Sequence, residues 1–156
     1  MIDISIKIGD GDKVDTNTAF GFTYAGSDNR FEAPIKEFQK TTYADQEGEN
    51  IYHKTTSDAF DYVVKFFVSS DNIEDANDRI AIFNQSLYTE VEGVKEFKDV
   101  TIYNTYKKNL IVGIPSLIEV ATDFWRDSKG NQSDKVMVDF KIRVSKPSLC
   151  NFNYSE

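Results

Sequence analysis

The chain has 156 residues, 40% of them hydrophobic and 13% aromatic, with 26 acids against 18 Lys and Arg and a formal net charge of −8. That length and apolar content suit one folded domain with a sizeable core, and they exclude a disordered chain. The acidic balance argues against general nucleic-acid binding and against docking on anionic lipid, no apolar run approaches a membrane span, and the lone Cys150 permits no intramolecular disulfide.

Ile2, Ile4, Ile6 and Ile8 alternate with Asp3, Ser5 and Lys7, the pattern of a half-buried strand, which Gly9-Asp10-Gly11-Asp12 ends. Polar residues run on to Asn17, and Phe20, Phe22 and Tyr24 alternate as a second short strand. Beyond the turn at Ala25 to Asn29, Pro34 disfavours helix for Ala33. Thr41 to Asn50 carries Asp45, Glu47 and Glu49 around Gly48 and reads as the solvated excursion of a hairpin, with Ile51-Tyr52-His53 beyond it. Ala59 to Ser69 is a strong strand: Phe60, Tyr62, Val64, Phe66 and Val68 form the core face. Val63 and Phe67 make the other face half apolar, so a cover is expected there from the helix or from a neighbouring subunit.

One convincing helix is expected, over about residues 72–90. Ile73, Ala76, Ile80, Phe83 and Leu87 recur at spacings of three and four, the period of one helical face. Asp71 followed by Glu74 resembles a capping box, and Glu74 and Asp75 suit the positive end of the helix dipole. Ile82 falls opposite the apolar stripe and is a candidate subunit contact. Further strands follow at Val100 to Tyr103 and from Leu110, the latter interrupted by Gly113 and Pro115 as at a bulge or edge bend. A hairpin with Ser128 to Asn131 at its tip then returns through Val136, Val138, Phe140, Ile142 and Val144. The order predicts a mainly β or α+β protein, a two-sheet sandwich or barrel with a single helix. Residues 1–147 form its one domain and 148–156 a tail that Phe152 and Tyr154 anchor.

Chemistry is sparse. His53 is the sole histidine, so a Ser-His-Asp triad would depend on it, and neither Tyr52 nor Lys54 completes a motif. Asp10, Asp12 and Asp15 resemble a calcium loop only in part, since Gly21 stands where the twelfth-position Glu belongs. Gly9 and Gly11 do not make a phosphate loop, and Cys150 beside Leu149 reads as an idle thiol. Tyr103, Tyr106, Phe124 and Trp125 would serve either as a sugar platform or as cross-strand packing. No catalytic residue, metal ligand or cofactor site is expected, and a structural or binding role fits better than an enzyme.

The order of features resembles the N-terminal domain of the phage distal tail protein family. The resemblance runs from Glu32-Ala33-Pro34 through the polar hairpin with Gly48, the strand Tyr62 to Phe67 and the helix Ala76 to Leu87. It continues through Ile102-Tyr103-Asn104 to the closing Val136 to Ile142 before Pro147. Related tube-forming proteins of contractile tails and type VI secretion share this plan. The resemblance implies a homo-oligomeric, six-membered ring that joins the tail tube to other tail or baseplate proteins. It implies a place in the virion tail after assembly in the bacterial cytoplasm, without membrane, with DNA passing unbound. Many family members continue into a carbohydrate-module-like domain, whereas this sequence stops at Glu156. On this expectation Val63, Phe67 and Ile82 lie at subunit contacts, and Asp45, Glu47 and Glu49 face a lumen whose negative charge repels phosphates. The alternative is a small soluble module that binds sugar or protein without catalysis.

Overall fold

The structure, a computed structural model, describes residues 4–28, 33–35, 40–41, 50–51, 57–69, 73–122 and 135–155. In chain order the elements are β1 (Ser5–Ile8), β2 (Val14–Asp15), α1 (Thr16–Phe20), β3 (Phe22–Ser27), β4 (Lys40–Thr41), β5 (Asn50–Ile51) and β6 (Phe60–Ser69). Then come α2 (Ile73–Ser86), β7 (Tyr88–Val91), β8 (Val94–Phe97), β9 (Val100–Asn104), β10 (Asn109–Thr122) and β11 (Lys135–Val144). Among the described residues seven strands form one sheet in the order β2-β1-β9-β10-β11-β6-β3, and β4-β5 and β7-β8 form two-stranded ribbons. The expected class holds: mostly β, sandwich-like, with one main helix.

A single strand folds the sheet into two layers. Residues Asn109 to Gly113 of β10 pair with β9, whereas Ile114 to Thr122 pair with β11, with register shifts after Pro115 and Val120. The interruption expected at Gly113 and Pro115 is therefore the corner where β10 changes partners. Gly113 is required there by close approach, since a Cβ would stand 2.6 Å from the Arg143 carbonyl oxygen. The expected return strand pairs along its whole length with β6, from Lys135 opposite Ser69 to Val144 opposite Phe60.

The core is the set the alternation pointed to. Ile4, Ile6, Tyr62, Val64, Phe66, Val68, Ile102, Val138, Phe140 and Ile142 are all fully buried. Helix α2 lies on this inner face: Ala76, Phe83 and Leu87 are buried, and the Phe83 ring packs on Phe22 at 4.9 Å and edge-on against Phe140 at 5.2 Å. Since α2 occupies the core side, it does not cover Val63 and Phe67, which point the other way.

Two local expectations change. The helix stops at Ser86, and Tyr88 to Glu90 belong to a strand. The apolar spacing continues through Leu87, but Ser86 Oγ donates to the Phe83 carbonyl, and Glu92 and Gly93 at φ 53° and 79° form the two-residue turn of a hairpin. Phe20 is not in a strand: Asp15 Oδ1 accepts from the Asn17 and Thr18 N–H groups and caps the five-residue α1. The tail is held at Phe152 and Tyr154, as expected. Asn151 bridges to Leu110, the Tyr154 N–H reaches the Lys108 carbonyl at 2.9 Å, and Phe152 meets Phe60. Asp71, the Ser128 to Asn131 tip and the 42–49 excursion lie outside the described residues. Lys40–Thr41 and Asn50–Ile51, on either side of that excursion, pair antiparallel.

Candidate assembly surfaces

Polar groups inside the fold are spent on joining its two layers. The buried Thr16 shares its hydroxyl proton between the carbonyls of Ile4 (3.2 Å) and Phe22 (3.1 Å), tying β1 to β3 at opposite ends of the strand order. Asn104 on β9 donates from Nδ2 to Ser27 Oγ at 2.9 Å and approaches the Tyr24 and Tyr62 hydroxyls at 3.4 Å. Asn109 donates to the Tyr62 hydroxyl at 3.3 Å, and that hydroxyl donates to Ser27. A buried network of this kind is favourable only when its members are satisfied, and here they satisfy one another. It faces inward and offers no open site.

Among the described residues, those singled out for chemistry do not converge. Asp15 is a helix cap, and Asp10 and Asp12 stand exposed in the β1–β2 turn. Among the described residues no three His, Cys, Asp or Glu side chains gather as a metal site. Cys150 is half-buried; burial pushes its thiol up, and the Val112 N–H that donates to Sγ at 3.5 Å offsets part of the shift. The aromatic candidates part company. Tyr103 carries the Lys13 ammonium 4.4 Å over its ring and packs on Tyr154, whereas Tyr106 stacks on Tyr24 at 5.0 Å. His53, Phe124, Trp125, Asp45, Glu47 and Glu49 lie outside the described residues.

The expected contact residues fall on two surfaces. Val63 and Phe67 are half-buried on the outer face of β6, where Lys141 and Met137 of β11 stand directly opposite them. On the same face Asp139 leaves its Oδ1 buried without a hydrogen-bond partner among the described residues, an arrangement that costs stability. Ile82 is on the far side of that sheet, 62% exposed, in a groove of about 270 Å³ shared with Ala19, Phe20, Asp75, Asp78 and Arg79. Sequence reasoning missed a third surface, the β7–β8 hairpin, where Val91 and Val94 are each 69% exposed and Phe97 45%. Its signal was present in Glu92-Gly93 between two short runs of β-forming residues.

Fold and surfaces together define a β-sandwich with one core helix, inward-facing polar groups and several exposed apolar patches. No family model and no curated protein sequence matches the chain. Among solved structures it is similar to the Dit protein of phage SPP1, described as a paradigm of the hub adsorption apparatus in phages that infect Gram-positive hosts. The TM-score is 0.60 at 18% identity, over 94% of this chain and 51% of that one. The two share a fold, and this chain spans about half the length of that protein. A subunit of the sheath-tube complex of an extracellular contractile injection system aligns at TM-score 0.44 and 14% identity, over 92% of this chain and 85% of that one.

Proposed function

We propose that this protein is a non-enzymatic structural subunit of a phage or prophage tail, a distal tail, baseplate or tube component that assembles as a ring with copies of itself. The observation that carries the reading is the fold it shares with the SPP1 Dit protein over 94% of its length. The surfaces support it. Large side chains that a solitary domain would bury stand exposed at two places, Ile82 on α2 and Val91, Val94 and Phe97 on the β7–β8 hairpin, and exposed apolar patches mark contact sites. In this reading Val63, Phe67 and Ile82 meet neighbouring subunits. Asp45, Glu47 and Glu49 face the DNA passage, where negative charge prevents the duplex from being gripped.

Sedimentation velocity combined with electron microscopy of the purified chain tests the reading. Closed rings are the expected result. A strict monomer that binds a glycan array would replace it with the small binding module.

A further inference from the structure

The hairpin Tyr88 to Phe97 is an unusual thing for a solitary domain to carry. Of its strand residues only Tyr88 is not exposed, and no other strand among the described residues pairs with either of its edges. It is held at its base, where the Lys98 N–H donates to the Leu87 carbonyl at 2.8 Å and the Tyr88 and Phe97 rings meet at 5.5 Å. A two-stranded ribbon is marginal in water on its own, and open edges beside exposed Val invite pairing.

Charge indicates what covers it. The registers place Ile8, Val100 and Gly113 at one end of the β1-β9-β10 layer, and Tyr103, Asn104 and Asn109 at the other. The hairpin and Asp99 extend from the first end. They bring Glu90, Glu92, Glu96 and Asp99 against Lys95 and Lys98, with Asp10 and Asp12 in the neighbouring turn. The opposite end is the turn after Asn104, which carries Lys107 and Lys108 beside Tyr106, itself 48% exposed. No acid occurs between Asp99 and Glu119. The acidic and basic surfaces stand at opposite ends of one layer, so they meet only between molecules.

We infer that the β7–β8 hairpin of one copy docks head to tail on the Tyr106–Lys107–Lys108 turn of a second copy. Val91 and Val94 cover the Tyr106 ring, and Glu96, on their face of the hairpin, and Glu92 of the turn meet the lysines. A contact between two different patches repeats from copy to copy and closes a ring when its rotation allows. The inference rests on the tail-subunit reading in taking a second copy as the occupant, and it supplies that reading with a specific pair of surfaces.

A photo-crosslinking amino acid at position 94 of the full chain tests it, with isotope-labelled and unlabelled copies mixed to separate adducts between copies from adducts within one. Adducts joining position 94 to the 105–108 peptide of another copy are expected. The double variant Lys107→Glu/Lys108→Glu should weaken self-association about tenfold, and adding Glu92→Lys/Glu96→Lys to the same chain should restore it. Oligomers whose adducts map elsewhere, or whose assembly ignores both charge reversals, overturn the docking and leave the tail-subunit reading standing. A chain that gives neither adducts nor oligomers overturns both.

Discussion

Thr16 links the start of β1 to β3 through one buried hydroxyl. Its backbone N–H also donates to the Ile4 carbonyl at 3.1 Å. Thr16→Val keeps the shape and removes the hydroxyl, leaving the Phe22 carbonyl without that donor, which costs about 1–3 kcal/mol. Urea unfolding should show the lowered midpoint, with Thr16→Ser close to the parent. Cys150 makes a different point. Its raised pKa keeps the thiol protonated at neutral pH, and the thiolate is the reactive form. Iodoacetamide should modify the native chain more slowly than the urea-unfolded chain. The difference should narrow as pH rises through the folded-state pKa, because the thiolate then forms in both states.

At the scale of elements, α2 and β10 carry the architecture. Phe83 meets Phe20, Phe22 and Phe140, so it fills the space between the helix and the β3-β6-β11 layer. Phe83→Ala should cost about 3–5 kcal/mol, for lost burial plus the cavity left behind. Chemical denaturation measures it, and ordinary surface variants on the same helix give the baseline. The corner of β10 depends on the absence of a side chain at Gly113. Gly113→Ala forces a methyl group against the Arg143 backbone, which must shift, at about 1–3 kcal/mol. Thermal unfolding should show the loss.

For the whole molecule, fold stability and assembly reside in different residues. The core is complete without Ile82, whose side chain stands in the α1–α2 groove. Ile82→Glu should change unfolding free energy by less than about 0.5 kcal/mol, as surface substitutions do. It should nonetheless reduce the oligomer fraction in sedimentation velocity. Normal assembly of that variant would remove Ile82 from the contact surfaces and leave the hairpin and the outer β6 face to form them.

The alternation in β6 and β11 and the three-and-four spacing in α2 were legible because each records one local quantity, which side of an element is dry. Period alone decided the strand faces, the helix and the β-rich class. It failed at Phe20 and at Tyr88, where a cap and a tight turn outweighed the apolar pattern within a few residues. What only the tertiary structure decided concerns partners far apart in sequence. Asn104 meets Tyr62 and Ser27, Thr16 bridges β1 to β3, α2 lies on the inner face and leaves Val63 and Phe67 outside, and the net-negative hairpin and the Lys107–Lys108 turn stand at opposite ends of one layer. Periodicity says that a face must be covered, but which element or molecule covers it depends on how the sheet turns at Gly113, a geometry carried by contacts rather than by any single stretch of chain.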